Sequence, residues 1–175
     1  GDRLENVIAT SRNDRLRGNS ANNRLTGGAG DDVYLFDADL PLGGDLVVEG
    51  EDASGGIDTL DFTGTTTVAV VLNLGLTTPQ EITATFNLAL ASGASLENLV
   101  GGTLADLLTG NDLDNAITGA AGNDTLDGGL GTDLVVEERN ANFLLKDASL
   151  MIGGEVDILT GFEGATLTGG AAANV

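Results

Sequence analysis

Residues 101–136 read GGTLADLLT, GNDLDNAIT, GAAGNDTLD and GGLGTDLVV, four units of nine that begin at Gly101, Gly110, Gly119 and Gly128. Their sixth place holds Asp106, Asn115, Asp124 and Asp133, and their eighth holds Leu108, Ile117, Leu126 and Val135. No insertion breaks the register. Three more units stand upstream: ATSRNDRLR from Ala9, GNSANNRLT from Gly18 and GGAGDDVYL from Gly27. Their sixth places are Asp14, Asn23 and Asp32, and their eighth are Leu16, Leu25 and Tyr34. An internal repeat of this kind is read before any secondary structure, because it decides the fold.

The first six residues of a unit are small or polar and suit a tight turn. The last three carry one inward apolar side chain between two outward ones, which is a very short strand. Two units then make one coil, with a turn at each end and a strand on each side. Units 18 residues apart stack at the strand spacing of ~4.8 Å. The register sets Asp106 over Asp124, Asn115 over Asp133, and Asp14 over Asp32; Asn23 has no recognisable partner 18 residues on.

These units resemble the nonapeptide G-G-x-G-x-D-x-U-x of the RTX family, the hemolysin-type calcium-binding repeat proteins. The match is close for GGAGDDVYL, GAAGNDTLD and GGLGTDLVV. It is looser for ATSRNDRLR, GNSANNRLT and GNDLDNAIT, and GGTLADLLT has Leu104 where glycine is usual. The resemblance implies several Ca²⁺ ions lodged between successive turns on both edges of a β-roll. It also implies a secreted, extracellular bacterial protein, exported unfolded by a type I secretion system and folded outside the cell.

Physical chemistry points the same way. Stacked carboxylates repel and need a counter-charge. Calcium takes ~6–8 oxygen ligands at ~2.3–2.6 Å, backbone carbonyls included, whereas magnesium prefers a stricter octahedron and keeps its water. The expected metal ligands are Asp14, Asp32, Asp106, Asn115, Asp124 and Asp133, with the turn carbonyls around Gly28, Gly30, Gly102, Gly122, Gly129 and Gly131. The doubly acidic pairs are expected to bind more tightly than Asn115/Asp133. Asp31, Asp112, Asp114 and Asp127 lie off the sixth place and are expected to be solvated or to lend carbonyls.

The composition supports a metal-dependent fold. The chain has 175 residues with 27 Gly and only 2 Pro, a pairing that favours ordered tight turns over a floppy linker. Six aromatic side chains (Tyr34 and five Phe) leave little for a large aromatic core. A net charge of −20 opposes compaction unless cations bind. It also argues against a nucleic-acid partner, whose phosphates it would repel. Arg3, Arg12, Arg15, Arg17 and Arg24 are five of the seven basic residues, so the remainder is still more acidic. With no Cys and no His, a disulfide frame and a His/Cys zinc site are excluded. No apolar run is long enough to span a bilayer.

The expected architecture is all-β: one right-handed parallel β-roll or β-solenoid, with two repeat blocks and longer-stranded coils between and after them. The units are 1–36 (first block), 37–98 (longer-stranded insert of the same solenoid), 99–136 (second block) and 137–175 (further coils). In the insert, Leu60 and Phe62 mark one strand, Val68, Val70, Leu72 and Leu74 a second, and Ile82 through Leu90 at every other residue a third. An antiparallel insert between two small rolls is the alternative. In the tail, the clusters at Phe143–Leu145, Leu150–Ile152, Val156–Leu159 and Leu167 suggest coils. The phrases GGIDTL from Gly55 and GGEVDIL from Gly153 each set an Asp before a strand; for Asp58 and Asp157 turn capping is the favoured role over ligation. The closing run from Gly169 to Val175 reads as an unfinished repeat.

Three function classes follow. The first is a calcium-binding module that folds and is stabilised on Ca²⁺ outside the cell. The second is a structural spacer, adhesin or surface-layer segment, whose open solenoid ends invite self-association. The third, an enzyme, lacks its chemistry here: there is no His, no Cys, no GxSxG elbow and no basic cluster for an acidic substrate.

Overall fold

The structure is a computed structural model that describes residues 5–50 and 56–170. Gly55, which opens GGIDTL, and residues 171–175 of the closing run lie outside the described residues. Among the described residues there are eighteen strands and no helix. In chain order they begin with β1 (Glu5–Ile8), β2 (Arg15–Leu16), β3 (Asn23–Thr26), β4 (Val33–Leu35), β5 (Gly43–Val48) and β6 (Thr59–Asp61). The middle holds β7 (Val71–Asn73), β8 (Gln80–Thr83), β9 (Phe86–Leu90), β10 (Asn98–Val100), β11 (Leu107–Thr109) and β12 (Ala116–Thr118). The chain closes with β13 (Thr125–Asp127), β14 (Leu134–Arg139), β15 (Phe143–Lys146), β16 (Ser149–Ile152), β17 (Glu155–Thr160) and β18 (Gly164–Gly169).

One seven-stranded sheet runs through both repeat blocks in the order β18-β14-β12-β10-β6-β4-β2. All its pairings are parallel. Between its strands the chain visits a second sheet, which changes along the molecule. It is β1-β3-β5-β9-β8 beside the first block and β15-β16-β17-β13-β11-β7 beside the second. The 18-residue register holds within the blocks, with Arg15 opposite Val33, Leu108 opposite Leu126, and Ile117 opposite Val135. It stretches where loops intervene: Arg24 pairs with Leu46 and Asn98 with Thr59.

The eighth-place side chains are the core. Leu25, Tyr34, Leu108, Ile117, Leu126 and Val135 are fully buried, and with Leu60, Leu72 and Leu99 they join one apolar cluster drawn from all three sheets. Each such burial contributes about 1.5–3 kcal/mol. The first three strands of the second block, β11 to β13, are three residues long, as one apolar side chain between two outward ones requires; β14 runs on to six. Where the sheets change over, Phe36 stacks on Phe62 and on Phe86 with ring centroids 5.4 Å apart in each case.

Three expectations are corrected. The alternation from Val68 to Leu74 yields only the three-residue β7, because Val70 donates its N–H to an Asp106 carboxylate oxygen before the strand begins. Ile82 to Leu90 is not one strand but the antiparallel hairpin β8–β9. The tail clusters do fall on strands, yet β15, β16 and β17 form an antiparallel meander rather than coils; only β17 and β18 rejoin parallel neighbours.

Candidate metal centre

Each strand of the long sheet is preceded by an acidic residue or an asparagine: Asp14, Asp32, Asp58, Glu97, Asn115, Asp133 and Glu163. They are clamped to one another by a repeated pair of hydrogen bonds. The N–H of Asp14 donates to Asp32 Oδ1 at 2.7 Å, that of Asp32 to Asp58 Oδ1 at 2.8 Å, and that of Asp58 to Glu97 Oε2 at 2.8 Å. Further along, the N–H of Asn115 donates to Asp133 Oδ1 at 2.7 Å and that of Asp133 to Glu163 Oε2 at 2.7 Å. The carbonyls answer from the other side: Asp14, Asp32, Glu97 and Asn115 accept from Val33, Thr59, Ala116 and Leu134 at 2.8–3.0 Å. The opposite edge carries the same device. Asn23 donates to Asp45 Oδ1 at 2.8 Å, Asp106 to Asp124 Oδ1 at 2.8 Å, and Asp124 to Asp157 Oδ1 at 3.0 Å.

All three expected pairs are therefore brought together, and Asn23 gains Asp45 as a partner, 22 residues on rather than 18. Asp58 and Asp157 occupy the same rungs as the sixth-place residues and are each 1% exposed. Asp31, Asp112 and Asp114 are exposed, and Asp127 is half-buried.

One oxygen of each rung is committed to the neighbouring coil; the other decides the chemistry. Asp14 Oδ2 accepts from the N–H and hydroxyl of Thr10, and Asp106 Oδ2 from Gly102 N–H at 2.7 Å. Asp32, Asp45, Asp124, Asp133 and Asp157 have an Oδ2 that is buried without a hydrogen-bond partner. Each pair thus offers one free oxygen, and by this measure Asn115/Asp133 equals the doubly acidic pairs. A buried carboxylate oxygen left bare costs about 1–3 kcal/mol or more, so it calls for a proton or a cation.

The first glycine of each unit from Gly18 onward lies against the sixth-place side-chain oxygen, which approaches the backbone because no Cβ stands in its way. A Cβ on Gly128 would stand 2.7 Å from Asp133 Oδ2, and one on Gly119 would stand 2.5 Å from Asp124 Oδ2. At Gly101 it would meet the Gly119 carbonyl at 2.8 Å, so carbonyl and carboxylate oxygens converge there. This all-oxygen donor set suits a hard cation such as calcium. Of the expected turn glycines, Gly28, Gly30, Gly122, Gly129 and Gly131 take positive φ, while Gly102 does not. At Gly129, with φ +98°, the turn folds back onto the Asn111 carbonyl 18 residues earlier, where a side chain has no room.

The electrostatics agree. Burial raises the carboxyls of Asp32, Asp106, Asp133 and Asp157, and lifts Asp45 to about 6 and Asp58 and Asp124 to about 7. Asp14, half-buried and held by Thr10, is lowered instead. Among the described residues two ion pairs form, Arg17–Asp37 and Arg139–Glu155, and neither touches a rung of the ladder.

Sequence reading missed Asp45, Glu49, Glu97, Glu137 and Glu163. Glu137 had a legible signal, standing nine residues after Gly128 in the first place of the next register. Glu137 is 1% exposed, accepts from Gly119 and Ala120 N–H at 2.9 and 3.0 Å, and is raised to about 7 by burial.

No curated protein matches the chain. The RTX calcium-binding nonapeptide repeat matches in four copies, over residues 8–39 and 100–135. Those residues are the two blocks whose sixth places form the ladder and whose first glycines let its oxygens approach the backbone. The chain is accordingly a carrier of RTX calcium-binding nonapeptide repeats, in two blocks joined through one sheet.

Proposed function

We propose that the chain is a calcium-dependent folding module of a secreted protein, a β-roll that closes as Ca²⁺ enters its turns. The supporting observation is the row of buried carboxylate oxygens without a partner, of which those of Asp32, Asp45, Asp124 and Asp133 lie against glycines where a Cβ would crowd them. Asp32, Asp124 and Asp133 would hold the ions through Oδ2. Asp14, Asp106 and Asn115 would complete the turns, together with carbonyls around Gly28, Gly30, Gly102, Gly122, Gly129 and Gly131. When bound, calcium neutralises these carboxylates; the chain's own part is to aim the oxygens, exclude water and lock each rung to the next through its N–H. Parallel strands linked in this way cross over right-handed.

A net charge of −20 opposes closure of a core made mostly of single Leu, Ile and Val side chains, so metal binding contributes much of the folding free energy. The chain would stay open in the low calcium of the cytosol, pass an export channel unfolded, and fold in the millimolar calcium outside. Its role is binding and structure, with no catalytic step assigned to it. Titrating calcium into the chelated chain, with far-UV circular dichroism as readout and magnesium as control, tests this. A coil-to-β transition in calcium alone is expected. A spectrum already β in chelator and unmoved by calcium would refute metal-driven folding and favour a metal-free scaffold or adhesin.

A further inference from the structure

Where the first repeat block ends, three carboxylates meet that no single repeat unit provides. Ligand-capable oxygens of Asp32, Glu49 and Asp58 lie within 4.8 Å of one another. The three residues are 0%, 6% and 1% exposed. Asp32 is a sixth-place residue; Glu49 belongs to no repeat unit. The parallel pairing of Thr26 with Val48 carries Glu49 to the layer over Gly27, so a glutamate fills the place a first glycine holds in a regular coil. A Cβ on Gly27 would overlap Glu49 Oε1, Asp32 Oδ2 and the Tyr34 hydroxyl, so these three oxygens share one small space.

The hydrogen bonds leave that space under-filled. Tyr34 donates its hydroxyl to Glu49 Oε1 and accepts the Gly27 N–H at 2.8 Å. Asp58 Oδ1 accepts from Asp32 N–H at 2.8 Å. Asp32 Oδ2 and Glu49 Oε2 remain buried without any partner. No basic side chain is among the groups acting on any of the three. The second block ends in a related way. Glu137 stands over Gly119 by extension of the Ile117–Val135 pairing, with the Asp157 charge acting on both Asp124 and Glu137, though Arg139 opposes it at Glu137.

We propose that Asp32, Glu49 and Asp58 hold one calcium-class cation at a carboxylate-rich site beneath the end of the first block, with Glu49 as its distinguishing ligand. This rests on the reading that the chain binds calcium, and gives the ion held by Asp32 Oδ2 a donor set made mostly of side chains. Three carboxylates in place of a carboxylate and carbonyls make it the site that gives up its ion last, since affinity rises with ligand charge.

Terbium replaces calcium among oxygen ligands and emits when a neighbouring tyrosine is excited. Tyr34 is the one tyrosine of the chain, which has no tryptophan, so emission reports an ion beside Tyr34. The wild-type chain should give bright sensitised emission that added calcium reverses. Glu49→Gln should weaken terbium binding about tenfold or more while keeping the calcium-induced dichroism change. Glu81→Gln, at an exposed carboxylate of β8 outside the ladder, should leave the emission curve unaltered. A wild-type emission curve in Glu49→Gln, or a dark wild-type chain that still folds on calcium, overturns the site. Should neither emission nor a dichroism change appear, the calcium reading itself falls and the site with it. If Glu49→Gln does not fold, Glu49→Asp keeps the charge on a shorter arm, and an unaltered emission curve there overturns the site equally.

Discussion

Asp124 uses its two carboxylate oxygens differently. Oδ1 accepts the N–H of Asp106 at 2.8 Å and so carries one rung of the ladder; Oδ2 is bare. The two jobs can be separated by substitution. Asp124→Asn keeps an acceptor for Asp106 and removes a buried charge, whereas Asp124→Ala removes both and orphans that N–H, costing about 1–3 kcal/mol. In chelator the Asn variant should therefore be at least as ordered as wild type and the Ala variant less so. In a calcium titration followed by dichroism, both should need about tenfold more calcium at the midpoint, as expected for losing a charged ligand. An Asn variant with the wild-type midpoint would show that Oδ2 holds no ion. At this scale the sequence was informative wherever nine residues separate like from like, which is how Asp106, Asn115, Asp124 and Asp133 stand in it. Glu49 follows a 22-residue coil, Arg24 to Leu46, and its place over Gly27 emerges only from the pairing of strands.

Strands three residues long have no stability alone; each is held by its neighbours in the stack. The changeover between the two shorter sheets is where that support is thinnest, because β7 and β8 belong to different sheets. Gln80 bridges them. Its Oε1 accepts the Asn73 N–H at 2.9 Å and its Nε2 donates to the Asn73 carbonyl at 2.8 Å, as a paired strand would. Gln80→Ala should lower stability by about 1–2 kcal/mol, the value of two such bonds, in thermal unfolding at saturating calcium. A shift no larger than that of an exposed control such as Glu81→Ala would deny the bridge its role. The hairpin that delivers Gln80 was illegible for a definite reason. Gln80 pairs with Leu88 and Glu81 with Asn87, partners of the same parity, and a register shift before Thr83–Phe86 leaves Ile82, Phe86, Leu88 and Leu90 all buried, so a period-two pattern runs through the turn without a break. The repeat strands had no such ambiguity, since a new unit begins every nine residues.

The whole molecule is a stack of acidic rungs whose metal-free form must hold protons in place of cations. Burial raises Asp58, Asp124 and Glu137 to about 7 and Asp45 to about 6, from ordinary values of 3.8 for Asp and 4.5 for Glu. Between those limits the folded chain binds more protons than the unfolded one, so its stability falls as pH rises. The contribution is fully present below the unfolded pKa values and is lost as pH climbs through 6 to 7. In chelator, acidification from about pH 7.5 to about pH 5 should therefore add β-structure. Calcium reverses the trend in binding: it displaces the same protons, so its affinity should fall over that range and its uptake should release protons. Dichroism in chelator at the two pH values, beside calcium titrations at each, reads both effects. Loss of β-structure on acidification would mean that the buried carboxyls are already ionised and paired, which the bare Oδ2 atoms of Asp45 and Asp124 contradict.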